Sequence, residues 1–287
     1  LFIRFDLTTV IVTKLSASVT YFALMLGGQP ISSYSVHGYI LMGIILSGIV
    51  WSIWVLRRKV VQPVDNEFIP EYIHRVYERE RLHRELEIAR NVQLNFLPRK
   101  NPEVAGLDIA TFCSPAREVG GDYFDFIQLG PKKLGVVIGD VSGKGIPAAF
   151  YMTLTKGMFK AQAARLESPR DVLVQLNRLF FENAEKGIFI SMIYTIFDLE
   201  SGFLTFARAG HNPMILKRRS EREAKEMCPP GIALGLEQGE LFEKSISEER
   251  LEIQNGDVFL FYTGGLNEAQ NRHQQSYGEW RLREALT

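Results

Sequence analysis

Between Leu15 and Leu56 the chain contains no Asp, Glu, Lys or Arg. A stretch so long and so uncharged must be covered by protein or by lipid, because water offers no compensation for that much apolar surface. Its second part, YILMGIILSGIVWSIWVL from Tyr39 to Leu56, is apolar enough and about long enough to cross a bilayer. The competing reading of the same run is a buried core helix. It ends on Arg57-Arg58-Lys59, which by the positive-inside rule puts the following residues in the cytoplasm, and Trp51 and Trp54 suit an interfacial belt. An earlier segment, Leu7 to Leu26, is a candidate second crossing turned around at GGQP, although Lys14 sits inside it at a cost. A charged linker follows the apolar run where a signal peptide would show a small-residue cleavage site. The expected location is therefore the inner (cytoplasmic) membrane, with the remainder of the chain in the cytoplasm.

That remainder carries the charge. Lys plus Arg and Asp plus Glu are equal at 33 each in 287 residues, so no global field draws the protein to nucleic acid, and none is expected as a partner. Cys113 and Cys228 lack the spacing of a zinc site or a disulfide framework and are expected to be reduced thiols. The first residue is Leu1 and the last letters, LREALT, read as helix, so the chain is expected to be part of a longer protein. Three segments are expected: a membrane segment over residues 1–56, a helical linker over 57–98 and a globular domain over 99–287.

The linker EYIHRVYERERLHRELEIARNVQLNFLPRK is rich in charge and free of Gly and Pro until Pro98. Leu82, Leu86, Ala89, Gln93 and Phe96 follow one another at heptad-like steps on one helix face. Two packings produce that pattern: a homodimer through the helix over residues 71–97, or an amphipathic helix lying on its own domain.

From Gly106 onward the texture is β-rich and punctuated by glycine. LGVVIGDVSG, FISMIYTIFDLESGFLTFARAGHNPMILK and DVFLFYTGG read as strands, the middle one a hairpin turned at Glu200-Ser201-Gly202. Ile146 to Leu166 and Pro169 to Glu185 read as helices, the first with Pro147 near its start and the second opened by Ser168-Pro169. Antiparallel runs interrupted by a helical pair predict an α+β domain. KRRSEREAKEMCPPG reads as a polar insertion, a solvated loop before a basic contact patch.

Within that domain EVGGDYFDF, Glu118 to Phe126, resembles the glycine-aspartate signature of nucleotide cyclases, but the strand with a metal-binding Asp and the Asn-containing helix that should precede it are replaced by the charged linker. GDVSGKG is no phosphate loop, because Gly139 and Gly143 are too close for the Walker spacing and Gly145 stands where Ser or Thr must hold magnesium. What remains is Asp122 after Gly120-Gly121 and Asp140 between the strand LGVVIG and the turn SGKG. Carboxylates at strand ends beside glycine suit hard divalent cations, since glycine admits carbonyls and waters close to the ion. Either aspartate alone also fits a simple turn.

The ordered series LEIARNVQLNFLP, EVGGDYFDF, GDVSGKGIPAA, ARAGHNP, GIALG, NGDVFLFYTGGLNEAQN and SYG resembles the SpoIIE/RsbU-type branch of the metal-dependent protein phosphatases (PPM family), from about Glu85 to the end. The resemblance implies a β-sandwich flanked by helices, a pair of manganese or magnesium ions between the sheets, and hydrolysis of phosphoserine or phosphothreonine on an anti-anti-sigma-type regulator. It implies Asp140 as the metal-bridging ligand, the Val141 carbonyl as a second ligand and Asp122 as a further acid, with Gly121 and Gly143 shaping the turns and His211 a landmark that fixes a strand-end turn. The family's TDG tripeptide reads Thr263-Gly264-Gly265, so a carboxylate ligand is missing at Gly264, and a later aspartate of the family pattern would lie beyond Thr287. A catalytically silent module that holds a phosphoprotein is the alternative function.

Overall fold

A computed structural model describes residues 7–28, 32–59, 71–115 and 118–287. The chain divides into two compact units, Leu1–Tyr77 and Glu78–Thr287. Their boundary falls inside the helix α3 (Glu71–Phe96).

In the first unit, α1 (Leu7–Gly27) and α2 (Ser32–Lys59) pack against each other. The contact is made by small residues: Ala23 and Gly38 are buried, and a β-carbon at Gly38 would fall 2.4 Å from the Gly27 nitrogen. Larger apolar side chains, among them Phe22, Tyr39, Ile44 and Val50, point outward. The expected membrane crossings are not recovered as such: among the described residues, no helix is long and apolar enough to cross a membrane. The apolar run Tyr39–Leu56 lies on α2, but the side chains of Ser52 and of residues 55–59 lie outside the described ones, as do the last two residues of the GGQP turn.

In the second unit, β1 (Asp122–Gly130), β2 (Lys133–Val141), β3 (Ile190–Asp198), β4 (Phe203–Ala209) and β7 (Glu248–Glu252) form a five-stranded antiparallel sheet in the order β1-β2-β3-β4-β7. A three-stranded sheet has the order β6-β5-β8, from β5 (Met214–Lys217), β6 (Lys225–Met227) and β8 (Val258–Leu260). The polar insertion is thus partly ordered, since β6 lies in it.

Helices α4 (Ile146–Ala163) and α5 (Pro169–Asn183) cover one face of the larger sheet, and the short α6 (Glu240–Ser245) adds Phe242 to the same core. Met192, Tyr194 and Ile196 of β3 point to these helices, while Ile193 and Phe197 point to the smaller sheet through Met214 and Phe259. Covering both faces is why β3 reads as a continuous apolar run instead of an alternating one. Phe159 of α4 meets Tyr194 edge to face, with ring centroids 4.9 Å apart. The outer side of the smaller sheet packs Ile215 and Tyr262 against Leu282 of α8 (Glu279–Ala285). The result is the α+β sandwich with helical flanks that the sequence leads one to expect.

Local chemistry explains the boundaries. The Ser168 hydroxyl accepts from the Asp171 N–H at the start of α5, with Pro169 in the first turn. The β3–β4 hairpin turns where expected, Asp198 accepting from the N–H groups of Glu200 and Ser201, at 3.1 Å each, and Gly202 taking φ +75°.

The linker helix α3 (Glu71–Phe96) corrects part of the heptad reading. Gln93 is buried, donating to the Gly120 carbonyl at 2.6 Å and accepting from the Gly120 N–H at 3.1 Å. Leu94 and Leu97 pack on the core below α4 and α5, so the end of the helix lies on its own domain. Leu82 and Phe96 remain exposed.

Candidate metal centre

Asp122 opens β1 and Asp140 is the last residue but one of β2, and the antiparallel register makes them direct cross-strand partners. A tight hairpin must bring its first and last residues together, which is how residues eighteen apart in sequence share a site. Gly121 precedes Asp122 and lies against the end of β2, with its carbonyl accepting from the Val141 N–H at 3.3 Å. A β-carbon at Gly121 would lie 2.7 Å from the Val141 carbonyl oxygen and 3.1 Å from Asp140 Oδ1. Two oxygens therefore converge on space that only the absence of a side chain keeps open.

Electrostatics at this end of the hairpin are those of crowded anions. Burial pushes the Asp122 carboxyl up, against a hydrogen bond from the Thr263 side chain that holds it down. Asp140 is pushed up to about 6 by burial and by the negative charges of Asp122 and Glu268. No Lys, Arg or His among the described residues forms an ion pair with either aspartate. By contrast Asp125, three residues into β1, is neutralised by Lys156 and Lys160 of α4 and serves to lock that helix to the sheet.

The segment after β8 runs into Thr263 and the one-turn helix α7 (Gly264–Asn267), so the TGG tripeptide does arrive at Asp122 through Thr263. Gly143 follows β2 with φ +96°, and Gly145, with φ +76°, begins α4 without a side-chain cap. Both conformations favour glycine. His211 is buried, its Nδ1 2.8 Å from the Ser191 hydroxyl, and burial lowers it to about 4, so the ring is neutral. Ser191 is the β3 partner of Asp140. His211 is thus held by a hydroxyl of the strand that pairs with Asp140.

Asp140 Oδ1, the Val141 carbonyl and Asp122 form an oxygen-rich, anionic donor set of the kind hard cations take, open where Gly121 has no side chain. That set fits one divalent ion. Among the described residues no group of three or more His, Cys, Asp and Glu stands close enough to hold a metal. Glu268, one helical turn beyond Gly264, was not singled out in the sequence; its only signal there is the four-residue spacing that puts it on the same face.

Comparison with known proteins matches residues 130–287 to the family model "Stage II sporulation protein E (SpoIIE)". Phosphoserine phosphatase RsbU of Bacillus subtilis is 31% identical over 189 residues, 66% of this chain and 55% of that protein. Protein IcfG of Synechocystis is 28% identical over 230 residues, 71% of this chain and 36% of that protein. The chain thus spans about half the length of the first relative and about a third of the second. Among solved structures, the SiaA-PP2C domain of Pseudomonas aeruginosa shares the fold with a TM-score of 0.60 at 18% identity, over 73% of this chain and 82% of that one. The RsbU and RsbW domains of Rv1364c from Mycobacterium tuberculosis give a TM-score of 0.50 at 25% identity, over 60% of this chain and 46% of that one.

Proposed function

The chain belongs to the SpoIIE family, and from that premise we propose that residues 99–287 act as a metal-dependent serine/threonine protein phosphatase in a membrane-tethered bacterial signalling protein. The observation that carries the reading is the convergence of Asp140 Oδ1 and the Val141 carbonyl over Gly121, beside Asp122. The relative named phosphoserine phosphatase RsbU supports the same substrate chemistry. Asp122, Asp140 and the Val141 carbonyl would hold manganese or magnesium. When bound, the ion supplies Lewis-acid charge to a phosphate ester and eases deprotonation of the attacking water. The chain's own part is to hold the two aspartates side by side through the β1–β2 register, to hold the Asp122 carboxylate with the Thr263 side chain, and to keep the cleft above Gly121 free of side chains.

The substrate proposed is a phosphorylated anti-anti-sigma-type regulator, as the family resemblance implies. Homodimerisation through the helix over residues 71–97 is proposed on the exposed Leu82 and Phe96 of α3. Attachment to the cytoplasmic membrane is proposed on the uncharged run ending at Arg57-Arg58-Lys59, and on helices that meet through Ala23 and Gly38 while turning large apolar side chains outward. Small residues at the contact and large ones outside are how helices pair in lipid. The segment limits proposed are 1–56, 57–98 and 99–287.

Phosphate release from a phosphoserine peptide tests the proposal. The expected result is manganese-dependent hydrolysis that Asp140→Ala lowers by roughly a hundredfold or more, the size of effect seen when a stabiliser of transition-state charge is removed. Equal rates in the two proteins would overturn it. Gly264 favours a second reading, a module that binds the phosphoprotein without hydrolysing it. Peptide binding with no manganese-dependent release would select that one.

A further inference from the structure

We propose that the outer face of α4 is an interface at which two copies of this chain pair as antiparallel helices. The inner face of the helix, with Met152, Phe159 and Ala163, is buried in its own domain. The outer face is apolar as well. Pro147, Phe150, Leu154, Gly157, Ala161 and Ala164 follow one another at steps of 3-4-3-4-3, and all six are exposed, Phe150 at 71%. That is the seam spacing of paired helices. The helix has two charged residues, Lys156 and Lys160, and both are held by Asp125 of β1, so no charge stands within the seam. A helix that is apolar on both faces is one that is covered on both.

The occupant follows from the order of sizes along the stripe. Large residues come first and small ones last, so the stripe is complementary to its own reverse. With a two-fold axis between residues 155 and 156, Phe150 stands opposite Ala161, Leu154 opposite Gly157 and Pro147 opposite Ala164, the members of each pair equally far from the axis. A symmetric interface asks for that arrangement, in which one residue meets another and the second meets the first. Gly157 is an independent sign. A β-carbon there would meet nothing within 4 Å, so the chain's own packing does not require glycine at an exposed helix interior, where it costs stability. A second backbone drawn close over that position does require it. Two such helices, 18 residues and about 27 Å long, would bury a strip on the order of 600 Å² in total, the size of a transient association. A covalent trap is the readout suited to it.

Disulfide trapping in the whole chain tests this, with Cys113 and Cys228 replaced by serine. Two proteins of distinguishable mass, one carrying Phe150→Cys and the other Ala161→Cys, are mixed and mildly oxidised. In the antiparallel pair residue 150 lies beside residue 161 of the other copy, whereas two residues 150 stand about 16 Å apart along the axis, beyond the reach of a disulfide. The mixed product is therefore expected to exceed either like-with-like product by roughly fivefold or more, as proximity raises effective concentration. Gly157→Lys in both proteins should cut the mixed product about tenfold, because two lysines then meet beside the two-fold axis. The melting temperature should hold, since nothing else in the chain touches that position. Like-with-like products in equal or greater yield would overturn the antiparallel assignment, and pairing through α3 alone, which sets no register on α4, would give only statistical proportions. A mixed product that survives Gly157→Lys would overturn it too. With no product at all, the face is covered by something other than a second copy and the inference falls, while phosphate release by the same chain is unaffected.

Discussion

At the scale of single residues, the site is shaped by anions held close without a counter-charge. Asp140 is raised from 3.8 to about 6 by burial and by Asp122 and Glu268. A carboxyl raised in the folded state contributes stability below its unfolded pKa and loses it as pH rises through the folded one. Asp140→Asn should therefore melt with the unsubstituted metal-free chain near pH 4, at about the unfolded carboxyl pKa, and increasingly above it as pH rises to about 6, beyond which the gap levels off. Manganese needs the ionised form, so its stabilising effect on the unsubstituted chain should grow over the same window and be absent in the variant. Melting curves at several pH values check both trends, and parallel curves would show that Asp140 does not titrate there. Gly121 permits a sharper test. Gly121→Ala would place a carbon 2.7 Å from a backbone oxygen, so the hairpin end must shift, at about 1–3 kcal/mol by the usual cost of overpacking. Chemical denaturation should read that cost, and manganese affinity should fall with it.

At the scale of elements, the β1–β2 hairpin and α3 show how far pattern reading reaches. Strand-end aspartates beside glycine were legible because metal chemistry and turn chemistry leave the same letters. Their cross-strand pairing was not, since register emerges only once the hairpin has closed. The heptad-like steps on α3 could not tell a partner helix from the helix's own domain, because both need an apolar stripe at the same spacing. Gln93 resolves its end of the helix by pairing with Gly120. Gln93→Leu would leave the N–H and carbonyl of Gly120 unpaired at a buried contact, and a loss of about 1–3 kcal/mol in denaturant titration is expected. The upstream half behaves differently. Leu82 is exposed and Leu86 half-buried, so Leu82→Lys/Leu86→Lys should cost a monomer little, whereas in a paired seam it sets like charges against each other. Sedimentation that turns from dimer to monomer in this variant supports the proposed pairing, and a monomer before substitution refutes it.

At the scale of the whole chain, the phosphatase-type sandwich was legible because motif order survives where single motifs are ambiguous: Gly139 to Gly145, read alone, resembles a phosphate loop. The approach of Glu268 to Gly264 was not legible, since a charged residue on an exposed turn is ordinarily just solvated. The amino-terminal unit raises the opposite problem, for its composition speaks more plainly than its described contacts. Leu46 and Val50 of α2 are 60% and 67% exposed, and Trp51 is 66% exposed. In water such a surface is a liability, and in a bilayer it is the required one. Substituting outward positions distinguishes the two environments. Leu46→Lys/Val50→Lys adds charge where a water-facing helix would gain solubility at almost no cost. In a bilayer core each lysine would oppose insertion by about 2.5–3.5 kcal/mol. The whole chain, mixed with phospholipid vesicles and spun through a density gradient, should float with the lipid, and the lysine variant should remain in the aqueous fraction with its manganese affinity intact. If the variant floats as well as the unsubstituted chain, α2 is not held in the hydrocarbon layer, and the uncharged run must be covered by protein instead.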